Sequence, residues 1–189
     1  MKLIFLLICI NNAVSKKRNQ IFLTKKSIMQ KKIVISFNKV DEPYGWMSNM
    51  SPFKVNYQGK IWPTTEALFQ AMRFENNPEI QEMIRVQKSP MSAKMVAKKT
   101  EYKKLKTVEA TSEKDLDNMR ICIGLKLDQH PQLKEKLKKT GNFEIYENIA
   151  KRKGKRHLFW GAELVDGEWM GKNWMGKIWM EKRDELLKG

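Results

Sequence analysis

The sequence predicts an α+β fold, a single compact domain with a small sheet packed with several helices. Three observations carry that expectation. "IVISF" (33–37) and "FKVNY" (53–57) are short β-branched or alternating runs at the start of the body. Asn77-Pro78 and Ser89-Pro90 each place an N-cap and a first-turn proline at the head of a helix. "FEIYENI" (143–149) returns to strand character only after the helices, so helices are grouped between strands instead of alternating with them.

In chain order, "IVISF" gives way to the loop "NKVDEPYGWMSNMSP", rich in Pro, Gly, Asn and Ser. After "FKVNY", "QGK" turns the chain and "IW" pairs back as a short third strand. The first helix runs from Thr65 to Glu75 with Thr64 as N-cap. The second starts at Asn77-Pro78, and the third starts at Ser89-Pro90 and reaches Lys99. The longest helix spans 112–130. Pro131 opens another, which stops before Gly141. Beyond the strand at 143–149, the basic loop "KRKGKRH" leads to "LFWG", and a last helix covers Asn173 to Leu187.

With 189 residues the chain is long enough for one domain with a real core. Its net charge of +16 is unevenly spread: residues 1–36 carry eight Lys/Arg and no acid, half of the excess. The body is only moderately basic, a balance shared by phosphate-handling proteins and by solvated lysine surfaces. Cys9 and Cys122 make no disulfide framework, and with His130 and His157 they offer no zinc spacing. No metal and no cofactor is expected. Residues 1–30 read as a basic, partly apolar leader ahead of a domain at 31–189. "MKLIFLLICINNAVSKK" has the outline of a secretory signal, with an apolar run too short to span a bilayer. The basic "KKRNQIFLTKKSIMQKK" after it favours the other reading, a poorly ordered leader with the folded unit beginning at Met29 and the protein in the cytoplasm. Nothing in the sequence points to a protein partner.

Two patterns imitate function. "GKNWMGKI" (171–178) fits the start of a P-loop but puts Ile178 where a magnesium-binding hydroxyl belongs, and Trp174 and Met175 are too bulky to wrap a phosphate. "WMGKN-WMGKI-WMEKR" repeats every five residues, a step that scatters Trp169, Trp174 and Trp179 around a helix. Packing is the reading for each.

The stretch "GKIWPTTEALFQAMRF" (59–74) is different. At 100° per residue, Glu66, Gln70 and Arg73 fall in one stripe about 60° wide on an otherwise apolar helix. That seam either meets water, with Glu66 favoured by the helix dipole, or lines a cleft to which the loop "YGWMSN" adds a tyrosine, a hydroxyl and an amide. An ionised carboxylate in an aromatic cleft suits the stabilisation of positive charge on a sugar ring and the activation of a water.

The order "YGWMSNM", "GKIWPTTEALFQAMRF", "SPMSAKMVAKK", "WG" and "GKNWMGKIWMEKRDEL" resembles the NADAR domain family, YbiA type, from about residue 35 to the end. The central pattern is met at Gly59, Trp62, Pro63, Thr64, Glu66, Gln70, Ala71 and Phe74, and a C-terminal one at Asn173, Gly176, Met180 and Arg183. The resemblance implies a compact α+β N-glycosidase, acting on early riboflavin-pathway intermediates. These small phosphorylated ribosyl-pyrimidines, ribosylamino-pyrimidine 5′-phosphates, would yield ribose 5-phosphate and free base, a form of metabolite damage pre-emption. Another branch implies ADP-ribose-linked substrates on nucleobases; a non-catalytic binder of nucleotides or nucleic acid is a third reading. Carried over by motif, Glu66 is the catalytic carboxylate, and Tyr44, Gly45, Ser48 and Asn49 form a loop over the sugar phosphate. Trp62 and Gln70 line or support the site, and Trp160, Gly161 and Asn173 close it. Basic groups, Arg73 or a lysine of 151–156, are expected to hold the phosphate. Two positions depart from the family pattern: Thr111 stands where many relatives have tryptophan, and His157 where many have aspartate. Asp166, with Glu168 beside it, is the candidate replacement for a second acid.

Overall fold

The computed structural model describes residues 33–188 apart from 151 and 153, so the reading of the leader lies outside it. The first strand, β1 (Val34–Phe37), alternates exposed and buried residues, with Ile35 and Phe37 inward. The loop after it contains a short 3-10 turn, Gly45–Met47. β2 (Val55–Tyr57) and β3 (Lys60–Trp62) then form the predicted antiparallel hairpin, with Val55 opposite Trp62.

α1 (Thr65–Ala71) starts where predicted: the Thr64 hydroxyl accepts the Ala67 N–H at 3.2 Å. It stops four residues earlier than predicted because Thr107 captures the backbone that would have continued it. The Thr107 N–H donates to the Arg73 carbonyl, and the Glu75 N–H donates to the Thr107 hydroxyl. α2 (Pro78–Arg85) and α3 (Pro90–Ala97) begin at the predicted prolines, and a 3-10 segment, Thr100–Leu105, follows α3. α4 (Glu113–Gln129) is capped by Ser112, whose hydroxyl accepts the Asp115 N–H. α5 (Pro131–Lys138) leads to β4 (Glu144–Glu147), which pairs in parallel with β1 from Val34↔Glu144 to Phe37↔Glu147.

The C-terminal quarter holds two elements that the sequence reading passed over. The end of the predicted basic loop is helical, α6 (Lys155–Trp160). β5 (Glu163–Val165) and β6 (Glu168–Met170) form a hairpin whose turn, Asp166-Gly167, has positive φ at both residues (50° and 85°). An Asp-Gly pair is a strong hairpin signal. α7 (Trp174–Lys188) closes the chain.

α1 sits at the centre, packed against α2, α3, α4 and β3, and all seven of its residues are buried. α7 covers β4 and packs on α4, α5 and α6. The P-loop imitation dissolves here: Gly176 lies inside α7, pressed on the Ile145 carbonyl and the Asn173 side chain, with no room for a Cβ. The three echoing tryptophans go separate ways. Trp169 stacks on Tyr146, Trp174 packs beside Phe159, and the buried Trp179 donates its indole N–H to the Met47 carbonyl. Among the described residues, no helix is long and apolar enough to cross a membrane.

Candidate active site

The polar seam of α1 does not meet water. Glu66, Gln70 and Arg73 are 6 %, 3 % and 6 % exposed. They form a chain of contacts across the interior. The Glu66 Oε1 accepts from Gln70 Nε2 at 3.0 Å and lies 3.2 Å from the Lys94 ammonium of α3. Gln70 Oε1 in turn accepts from Arg73 Nη1 at 3.1 Å. Arg73 is bound bidentately by Asp115 of α4, at 2.8 and 2.7 Å, and its guanidinium lies 4.4 Å from the centre of the Phe69 ring. Asp115, fully buried, also accepts the Thr111 N–H at 2.8 Å. Thr111, with φ of 69°, thus positions the far end of this chain.

The loop before β2 turns inward. The Asn49 carbonyl accepts the Glu66 N–H at 3.0 Å, and its side-chain oxygen accepts the Thr65 hydroxyl at 3.0 Å. Ser48 and Asn49 are buried, and Asn49 holds the head of α1. The loop is itself pinned from behind by Lys126, a fully buried lysine of α4. Its ammonium donates to the Ser48 carbonyl (2.9 Å) and the Ser51 hydroxyl (2.6 Å), and burial pulls its pKa down to about 7. Gly45 is required because a Cβ would strike the Lys39 and Val40 carbonyls; half-buried Tyr44 packs against the core.

On the other side of α1, the Trp160 ring meets Phe69 edge-on at 5.5 Å, and Phe159 meets Trp160 at 5.2 Å. Phe69 lies one turn along α1 from Glu66, so these rings border the end of the polar seam. Gly161 and Asn173 converge on one strand residue. A Cβ on Gly161 would collide with the Glu147 carbonyl, and the Asn173 amide brackets β4 by accepting the Glu147 N–H and donating to the Ile145 carbonyl. Glu147 shares the inward parity of buried Ile145 and pairs with Arg152 at 2.9 Å. Its carboxyl is held above the usual carboxylate range by burial, against the pull of Arg152, with Glu66 raising it further and Lys94 lowering it.

The structure therefore brings together Glu66, Gln70, Arg73, Ser48, Asn49 and Trp160. Trp62 does not join them. It lies on the opposite face of α1, lining a cavity of about 80 Å³ with Tyr57, Lys60, Leu68 and Gln81. Asp166 sits exposed at the tip of the β5–β6 hairpin, in the turn, and Glu168 is exposed beside it. The second acid in the field of Glu66 is Glu147. The sequence held a signal for it, since an acid two residues after Ile145 in a strand falls on the apolar face. Lys94 stood in the quoted stretch "SPMSAKMVAKK" but had no geometry to single it out. Burial pushes the Cys122 thiol well above its usual range, which disqualifies it as a nucleophile.

The model of the NADAR domain family matches residues 36–187. The N-glycosidase YbiA of Escherichia coli is 31% identical over 153 residues, covering 81% of this chain and 88% of that protein. A riboflavin biosynthesis protein of Vibrio vulnificus is 25% identical over 162 residues, 86% of this chain and 40% of that longer protein. The NMR structure of the Escherichia coli protein YbiA superposes with a TM-score of 0.69 at 27% identity, covering 85% of this chain and 88% of that one. By a motif order that spans the domain, by the family model and by shared architecture, the chain belongs to the NADAR domain family.

Proposed function

We propose that the protein is an N-glycosidase and that its substrates are ribosylamino-pyrimidine 5′-phosphates of the early riboflavin pathway, hydrolysed to ribose 5-phosphate and free base. The observation that carries the reading is the setting of Glu66: a buried carboxylate fixed by Gln70 and Lys94, one helical turn from the Phe69–Trp160 aromatic wall. The name of the Escherichia coli relative supports the reaction, and that of the Vibrio relative supports the pathway.

Cleavage of an N-glycoside builds positive charge on C1′ and the ring oxygen. Fixed negative charge in a desolvated cleft stabilises that transition state more than the neutral ground state. Both donors to Glu66 converge on Oε1. The mechanism gives Oε2 to the attacking water, which loses its proton there as it bonds C1′. The leaving base stacks on the aromatic wall. Arg73 is committed to Asp115 and Gln70 and acts as a strut that orients Glu66. The phosphate falls instead to exposed cations near Trp160, with Lys172, 5.5 Å from the Phe159 ring centre, the foremost. Hydrolysis of these reactive intermediates would serve to clear damaged or wayward metabolites.

The basic segment ahead of α6 favours a second reading on the same scaffold, an ADP-ribosyl-nucleobase hydrolase. A panel holding both riboflavin intermediates and an ADP-ribosylated nucleoside, read by mass spectrometry, separates the two. Turnover of the pyrimidines, with Glu66→Gln slower by about 10²–10⁴-fold and still folded, is the expected result. Wild-type rates in that variant would remove Glu66 from the mechanism. Turnover of the ADP-ribosylated nucleoside alone would select the second reading.

A further inference from the structure

An amine leaving C1′ as an anion is a very poor leaving group, so hydrolysis of a ribosylamine needs a proton on the departing nitrogen. Glu66, taking a proton from water, cannot supply it in the same step. A second carboxyl, that of Glu147, lies within electrostatic range of Glu66. Glu147 ends β4 on the inward side of the strand, with 16 % of its side chain exposed. Asn173 and Gly161, both motif residues, clamp its backbone from two directions. Trp160, next to Gly161, leans on Phe69, one turn along α1 from Glu66. Glu147 is therefore tied to the same aromatic wall that borders the polar seam of Glu66.

We propose that Glu147 is the general acid of this site, delivering its proton to the leaving exocyclic nitrogen while Glu66 receives the proton of the attacking water. The proposal rests on the glycosidase reading above and narrows its substrates to N-glycosides whose leaving nitrogen must be protonated. The step balances: the C1′–N bond breaks with its electron pair going to nitrogen, which takes the Glu147 proton. The C1′–O bond forms from water, whose proton goes to Glu66. After release, one proton passes back through solvent to Glu147, and the enzyme is regenerated.

The surroundings of Glu147 favour its protonated form. Charged groups reach Glu147 from three elements: Glu66 of α1, Lys94 of α3, and Arg152 of the segment before α6. Burial and the Glu66 charge favour the protonated carboxyl; Arg152 and Lys94 oppose them. A carboxyl held protonated by its surroundings is suited to the acid role.

The test is the pH dependence of kcat for the full chain on a ribosylamino-pyrimidine phosphate. Wild type should lose activity as pH rises through the pKa of Glu147. Glu147→Gln should lower kcat by about 10²–10⁴-fold, leave KM nearly unchanged and abolish the alkaline limb. Arg152→Gln removes a charge that favours ionised Glu147, so its alkaline limb should move to higher pH; this variant serves if Glu147→Gln fails to fold. A Glu147→Gln enzyme with wild-type kcat or a retained alkaline limb overturns the proposal, as does an unmoved limb in Arg152→Gln. If Glu66→Gln is dead while Glu147→Gln is active, the general acid falls and the glycosidase stands. If wild type cleaves no N-glycoside in the panel, both fall.

Discussion

Lys126 is a charged residue type in a place that charge avoids. Its ammonium lies among Ser48, Ser51, Phe53 and Trp179, with hydrogen bonds and, among the described residues, no carboxylate partner. The folded pKa of about 7 is below the value of 10.5 for a free lysine. The unfolded chain thus binds more protons between those values, and stability rises with pH across that window. Below pH 7 the fold carries a penalty on the order of several kcal/mol for holding the charged form. Urea unfolding between pH 6 and 10 should show the midpoint of wild type climbing, while Lys126→Met stays flatter. An equal slope in both proteins would contradict the burial of this amine. At the Arg73–Asp115 pair the expectation is simpler. Removing one partner leaves a buried charge, so Asp115→Ala should cost about 3–5 kcal/mol and loosen Glu66 through Gln70. A matching fall in kcat reports that strut; lost stability with normal kcat would make it structural only.

At the scale of elements, the parts most legible in the sequence were those with strong local chemistry. Proline at the first helical position marked α2, α3 and α5, and Thr64 and Ser89 cap α1 and α3 as their side chains predict. The end of α1 was misjudged because Thr107, more than thirty residues away, captures its backbone. α6 was missed because a run of basic residues gives no apolar period, and its register is set by Trp160 docking on Phe69. The candidate site divided in the same way. Glu66 is legible from periodicity and motif, whereas Trp62, expected to line or support the site, lies at a far face, and Arg73, a candidate phosphate holder, lies in a buried ion pair. Motif residues can hold a fold as well as a ligand, and only neighbours distinguish the two. Gly161 joins both duties. Gly161→Ala forces a Cβ against the Glu147 carbonyl and the Ile149 side chain, and should cost about 1–3 kcal/mol and shift Trp160. Thermal melting and intrinsic tryptophan fluorescence measure the two effects. An unshifted melting point would mean that β4 can give way at that contact.

At the scale of the molecule, the basic charge is a poor guide to mechanism. Half of it precedes residue 37, and every group given a part in the reaction lies after residue 43. A chain lacking residues 1–28 should keep the kcat and KM of the full chain in low and moderate salt. Strong salt-dependent loss of binding on that deletion would instead favour a nucleic-acid binder.

The parallel register of β1 with β4 joins segments more than a hundred positions apart, from Val34↔Glu144 to Phe37↔Glu147. A chain emerging from the ribosome exposes Glu66 well before it exposes Glu147 or the tryptophan at position 160. Synthesis must run past residue 160 before the two halves of the reaction centre can meet, so shorter nascent polypeptides carry the acid without the power to hydrolyse, and maturation of activity should lag behind translation.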